Sequence, residues 1–233
     1  MAGILYAIPT PLGGAAADAL PASALATVRT LRSFVVENAK TARAFLREIG
    51  MPCAIQELDI SVLEPDVSKH IGRLQTDISI GLLAEAGCPA IADPGAALVE
   101  AAHGAGIRVV PLVGPSSIVL ALMASGLEGQ RFAFCGYLPR DAQERKKKIR
   151  EIEARSRRER ETQIFIETPY RNDVLLAALL DTAAEKTLLC LATDLTLPTE
   201  RVRTQPVSRW RTAHHAIGKR PTVFLLSSVN RQP

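Results

Sequence analysis

Short apolar runs rich in β-branched residues alternate along the chain with Ala- and Leu-rich segments whose apolar positions recur at helical spacing. That alternation predicts α/β layers around a mostly parallel sheet. Residues 3–8 read as a first strand, cut off by Pro9-Thr10-Pro11 and Gly13-Gly14, and residues 15–31 as a helix interrupted near Pro21. Further strands are expected at 33–37, 54–58, 78–83 and 108–111. Helices are expected at 41–49, 66–74 and 96–105, two of them closing at Gly50 and at Gly104 and Gly106. A dense loop, 84–95, follows the fourth strand, and Gly114-Pro115-Ser116-Ser117 opens an apolar helix that ends at Gly126. A second block carries strands at 131–137, 163–167, 187–193 and 222–227, with a helix at 172–184. The simplest division is two α/β domains, 1–128 and 129–233.

Composition narrows the class. With 233 residues, 47% apolar and 22% charged, the chain can bury one sizeable core or two small ones, which excludes disorder, collagen-like repeats and a disulfide scaffold. Cys53, Cys88, Cys135 and Cys190 show no CxxC spacing and no paired histidines, so buried reduced thiols are expected rather than a zinc site or a redox pair. The first basic residue is Arg29, and prolines interrupt the first apolar run. The longest fully apolar stretches have seven residues, so no membrane span and a cytoplasmic location are expected.

The net charge of +4 hides an asymmetry. Residues 140–160 hold ten basic and five acidic side chains, and residues 201–220 hold six basic and none acidic, leaving −7 on the remainder. Two basic stretches on a neutral-to-acidic body suit an anionic partner. Residues 140–160 read as an exposed helix or arm, either a solvated face with local pairs among Glu144, Lys148 and Glu151 or a surface for RNA phosphates. Trp210, between Arg209 and Arg211, is the candidate for base stacking, with a packing role as its alternative.

Gly13, Gly14, Gly87, Gly95 and Gly114 each follow an expected strand, at the edge where open α/β sheets bind ligands. Neither GxGxxG after the first strand nor GxxxxGK[ST] is present, which removes the main support for dinucleotide and P-loop readings. GxSxG is absent, and neither His214 nor His215 is linked to Ser116 or Ser117, which read as helix-capping residues. His70 and His103 fall on expected helices, where a structural histidine is the simpler reading.

Residues 3–13, 86–95 and 114–117, then Ser125-Gly126-Leu127 with Gly136-Tyr137-Leu138-Pro139, together resemble the tetrapyrrole-methylase-fold (class III) S-adenosylmethionine methyltransferases. Within that family the similarity is to the ribosomal RNA small-subunit methyltransferase I group, and it extends through residues 165–171 and 194–196. The resemblance implies a two-domain α/β homodimer with the ligand cleft between the domains, S-adenosyl-L-methionine as methyl donor and a 2′-O-methylated cytidine in small-subunit ribosomal RNA as product. Carried over by motif, Pro9, Glu85, Ala86, Gly87, Ser116, Ser117, Glu167 and Thr168 line the donor pocket. Lys146, Lys147, Lys148 and Arg171 are candidate substrate contacts, no metal is implied, and no catalytic residue is assigned.

The sequence departs from the group's pattern in several loops. Its Ile-Gly-Asn is Leu12-Gly13-Gly14 here, Glu-Asp-Thr-Arg is Glu37-Asn38-Ala39-Lys40, and Ser-Asp-Ala-Gly is Ala84-Glu85-Ala86-Gly87. Ser-Pro-His-Arg is Thr168-Pro169-Tyr170-Arg171, and Glu-Leu-Thr-Lys is Asp194-Leu195-Thr196-Leu197. Residues that shape the backbone survive better than side chains able to touch a substrate. Two alternatives therefore stay open: a methylase of a small tetrapyrrole, and a non-catalytic paralogue that binds the donor or the ribosome.

Overall fold

Strands that are apolar on both faces must sit between two layers, and Ser33–Val36 and Ile80–Leu83, buried throughout, are inner strands of the first sheet. The computed structural model describes residues 2–212 and 216–229, so His214 and His215 lie outside the described residues. Two compact units divide the chain, Met1–Ser116 and Ser117–Pro233.

In the first unit, β1 (Ile4–Ile8), β2 (Ser33–Val36), β3 (Asp59–Val62), β4 (Ile80–Leu83) and β5 (Arg108–Pro111) form a wholly parallel sheet in the order β3-β2-β4-β1-β5. Alternate residues feed two cores. Ile8, Phe34, Val36 and Leu83 pack with α1 (Ala16–Ala19), α2 (Ala22–Thr30) and α3 (Ala39–Glu48). Leu5, Val35, Ile80 and Leu82 pack with α4 (Ser68–Gln75) and α5 (Ala96–Gly104) on the opposite face. The break expected at Pro21 separates α1 from α2, because proline cannot donate the helical hydrogen bond.

The third strand lies later than the expected 54–58. Residues Ile55–Glu57 form a 3-10 turn, and pairing with β2 begins only where Asp59 N–H donates to Arg32 C=O at 2.9 Å.

The second unit contains α6 (Ser117–Ser125), β6 (Phe132–Tyr137), α7 (Ala142–Glu159), β7 (Thr162–Ile166), α8 (Asn172–Thr182), β8 (Leu188–Thr193), β9 (Arg201–Pro206), α9 (Val207–Arg211) and β10 (Thr222–Ser227). Its sheet, ordered β6-β7-β10-β8-β9, is mixed, which corrects the expectation of a mostly parallel sheet in each domain. Only the β6–β7 pairing is parallel, since β8 and β9 are joined by a short loop as a hairpin and β10 returns between β7 and β8. Helix α6 belongs with this unit. The Thr204 hydroxyl donates to Ser125 C=O at 2.7 Å, so the unit boundary falls twelve residues before the 128/129 division read from sequence.

Helix α7 is not wholly solvated as its charge suggested. Asp141 caps it by accepting from the N–H groups of Gln143 and Glu144, and Arg145, Ile149, Ile152, Glu153 and Ser156 form a buried stripe. The four cysteines are free; Cys190 is buried and the other three are half-buried. No helix among the described residues is long and apolar enough to cross a membrane.

Candidate active site

The carboxyl ends of β1, β4 and β2 lie level, with Ile8 and Val36 both registered against Leu83. From neighbouring strands β1 and β4 the chain leaves toward opposite faces, into α1 and α5, so a crevice opens at this edge. The loops after these strands meet through main chain. Thr10 and Gly87 exchange two backbone hydrogen bonds, 2.9 and 3.0 Å, and the Thr10 hydroxyl reaches Ala84 C=O at 3.3 Å. Gly87 has φ +81°, a conformation costly for residues with a Cβ, and an added Cβ would lie 3.3 Å from the Leu12 side chain. At Gly114 the constraint is space, since a Cβ would fall 2.4 Å from Cβ of Pro9. The structure thus brings Pro9, Ala86, Gly87 and the segment ending at Ser116 to one edge, with Glu85 exposed beside them.

Acidic groups collect along this edge. Glu85 N–H donates to the Glu37 carboxylate at 3.3 Å, and the Thr41 hydroxyl donates to Glu85 at 3.4 Å. Burial, then the negative charges of Glu37 and Glu85, push the Asp93 carboxyl up to about 6. Among the described residues no group of His, Cys, Asp and Glu is arranged to hold a metal ion.

In the second unit Glu167, Thr168 and Arg171 are brought together just after β7. Glu167 Oε1 accepts from the Thr168 N–H at 2.8 Å and its hydroxyl at 3.3 Å, and the Arg171 guanidinium lies 3.3 Å from Oε2. Oε2 is buried and accepts no hydrogen bond among the described residues. Paired with Arg171 through charge alone, this buried acceptor can still take a hydrogen bond from a ligand that brings a donor. The ammonium, ribose hydroxyls and adenine amino group of S-adenosylmethionine are all donors, and the glycine-lined edge of the first unit admits close backbone approach. The residues present fit that donor. Ser117 opens α6.

Within the second unit the lysines lie away from the Glu167–Arg171 turn, beside the far end of α8. Lys146 is paired with Asp181 at 2.6 Å and Lys148 with Glu151 at 3.7 Å, while Lys147 is exposed. Of the local pairs expected on α7, Lys148–Glu151 forms. Trp210 is a packing residue, 3% exposed, with its indole N–H donating to Leu189 C=O at 2.9 Å and Arg203 over its ring. Sequence reasoning missed Tyr170 as an aromatic contact. It is 77% exposed, with the Lys219 ammonium 5.0 Å from its ring centroid, and its signal was the replacement of histidine within the Thr168–Arg171 stretch.

No family model matches the chain. It is 33% identical over 207 residues to the ribosomal RNA small subunit methyltransferase I of Vibrio cholerae, covering 89% of this chain and 70% of that protein. Against the protein of the same name from Escherichia coli O157:H7 the identity is 34% over 208 residues, covering 88% of this chain and 70% of the relative. Among solved structures, the methyltransferase CobJ matches with a TM-score of 0.64 at 16% identity, over 97% of this chain and 94% of that one. The uroporphyrin-III-C-methyltransferase from Thermus thermophilus matches with a TM-score of 0.56 at 19% identity, over the same shares. These two likenesses show a shared fold.

Proposed function

Because the chain belongs to the ribosomal RNA small subunit methyltransferase I family, we propose that it transfers a methyl group from S-adenosylmethionine to a cytidine ribose 2′-hydroxyl in small-subunit ribosomal RNA. The observation that carries this reading is the one-third identity to relatives of that name, spread over nearly nine tenths of the chain. We assign donor binding to Pro9, Glu85, Ala86, Gly87, Ser116, Ser117, Glu167 and Thr168, the positions that the motif resemblance implies. When bound, it supplies a methyl group on a sulfonium, open to in-line attack by the acceptor oxygen.

Positioning is the chain's main contribution to such a displacement. The Thr10–Gly87 main-chain bridge fixes the loops after β1 and β4, so the donor is oriented by backbone with little freedom to lose. Glu167 Oε2 accepts a hydrogen bond from the donor, while the Thr168 N–H and hydroxyl keep the carboxylate in place. Arg171, and the α7 lysines Lys146, Lys147 and Lys148, attract the RNA phosphates. The enzyme works in the cytoplasm as a homodimer, which light scattering tests as a mass twice that of the 25.1 kDa chain.

The deciding experiment incubates the protein with methyl-labelled S-adenosylmethionine and purified small ribosomal subunits, then maps ribose methylation. Label in one cytidine, absent from subunits of a deletion strain until the protein is added, is the expected result. No donor binding by calorimetry at millimolar concentration rejects every enzyme reading, and donor binding with no transfer to the subunits rejects the RNA reading.

A further inference from the structure

We propose that Tyr170 is a stacking platform for an unpaired base of the RNA substrate, with Lys219 receiving the phosphate beside that base. The inference rests on the RNA reading above and adds to it the contact that seats the nucleotide.

Three observations carry it. The first is exposure: Tyr170 keeps 77% of its surface in solvent, more than any other large apolar side chain among the described residues. A tyrosine so exposed gains little from packing, and its ring keeps a face open. The second is charge. The Lys219 ammonium sits 5.0 Å from the ring centroid, while the neighbouring Arg171 and Arg220 are paired with Glu167 and Asp194. Aromatic rings interleaved with cations are the surface that unpaired RNA uses, because every base has a π-face and every linkage a phosphate. Phe132 and Tyr137, also exposed, have no cation over their rings among the described residues.

The third observation is that the platform is fixed. Tyr170 occupies the 3-10 turn Pro169–Arg171, closed by the Arg171 N–H on Thr168 C=O at 2.9 Å and by the Arg171–Glu167 pair. The segment bearing Lys219 is tied to the start of α8. Asn172 Nδ2 donates to Arg220 C=O at 2.7 Å, and Ile217 N–H donates to Asp173 at 2.7 Å. Arg220 in turn lies 3.8 Å from the buried Asp194 carboxylate. The backbone that carries the ring and the Lys219 cation is therefore ordered before RNA arrives, which removes part of the entropy cost of binding. The platform also adjoins Thr168 in sequence, so a base seated on it lies next to the donor-binding residues.

The test measures binding of a small-subunit RNA fragment carrying the methylated cytidine, at several salt concentrations, beside donor calorimetry and melting. Tyr170→Ala is expected to weaken RNA binding roughly 5- to 150-fold, the range for loss of one base–aromatic stack, with an unchanged salt slope. Tyr170→Phe is expected to bind like wild type, since the ring remains. Lys219→Gln should lower the salt slope by about 0.7, the loss of one phosphate contact on a single strand. Donor affinity and melting temperature should stay at wild-type values in all three. Wild-type RNA affinity in Tyr170→Ala, or equal losses in Tyr170→Ala and Tyr170→Phe, overturns the platform while leaving the RNA reading intact. A wild-type protein that neither binds nor methylates the RNA overturns the RNA reading itself.

Discussion

The loops at the edge of the first sheet and those around the start of α8 in the second unit are held by different chemistry. In the first unit the loops after β1 and β4 are joined chiefly by main chain and by glycine geometry, through the Thr10–Gly87 bridge, the positive φ of Gly87 and the close packing of Gly114 on Pro9, with the Thr10 hydroxyl and Glu37 adding side-chain contacts. In the second unit they are side chains on backbone or on each other. Glu167 holds Thr168 and Arg171, Asn172 holds the carbonyls of Gly218 and Arg220, and Asp173 holds the N–H groups of Ile217 and Gly218. A site made of backbone tolerates changed side chains as long as glycines and prolines stay. That is why Gly14 and Ala39 can stand where the group has the larger Asn and Thr while the first edge keeps its form. Around α8, each side chain is itself the structure.

The largest effect should come from filling the backbone space of the first unit. In Gly114→Val the new Cβ would lie 2.4 Å from Cβ of Pro9 and 2.8 Å from a Leu20 methyl, and the proline ring cannot rotate away. Overpacking of this kind costs about 3 kcal/mol. We expect a clear drop in melting temperature and at least a tenfold loss of donor affinity by calorimetry. Unchanged melting and donor binding would break the claim that main-chain fit defines this edge.

Next in size is Asn172→Ala. Asn172 is fully buried, and its loss removes the donor to Gly218 C=O and one of two donors to Arg220 C=O, which also accepts from the Thr222 hydroxyl. The expected cost is about 2 kcal/mol, with RNA affinity falling because the segment bearing Lys219 is released. Donor affinity should fall less than in Gly114→Val. The reverse ranking would mean that the two regions are not built as differently as their contacts indicate.

Much of the first unit was legible because its inner strands β2 and β4 are apolar runs buried on both faces, the pattern of a covered parallel sheet, while the edge strands β3 and β5 are half-exposed. The basic stretches were harder to read. Arg201, Val202, Arg203 and Thr204 read as part of a basic stretch with no element assigned, yet they form an edge strand whose arginines are exposed, a common device against unwanted strand pairing. Residues 140–160 looked too charged to bury, but spacings of three and four place Arg145, Ile149, Ile152 and Ser156 on one inward stripe. Helix α6 was read with the first domain because it follows the Gly114 loop, and local sequence holds no trace of its contact with Thr204, 79 residues on. Among site residues the backbone-shaping positions were legible by motif. Tyr170 was not, because a lone tyrosine has no periodicity, and only the fold shows that it stays outside the core while Trp210 goes in.

The smallest effect sharpens the comparison through charge. Carboxylates in the second unit have partners that favour ionisation: the hydrogen bond and charge of Lys146 lower the Asp181 pKa, and backbone N–H groups of α7 lower that of Asp141. Asp93 in the first unit is opposite, raised from 3.8 to about 6 by burial and by Glu37 and Glu85. Between those two values the folded protein binds more proton at Asp93 than the unfolded chain does, so stability falls as pH rises through the window and the full penalty persists above it. Asp93→Asn cannot ionise and should be the more stable protein at pH 7.5. Solvent screening at a half-buried site holds the gain to about 1 kcal/mol, or about 2–4 °C in melting temperature. The gain should shrink on acidification and vanish near pH 4. A difference that stays constant from pH 4 to 8, or a less stable Asp93→Asn, would show that the acidic edge does not repel itself. Adding Glu37→Gln and Glu85→Gln to the wild-type Asp93 background should move the same transition to lower pH, which separates charge repulsion from burial as its cause.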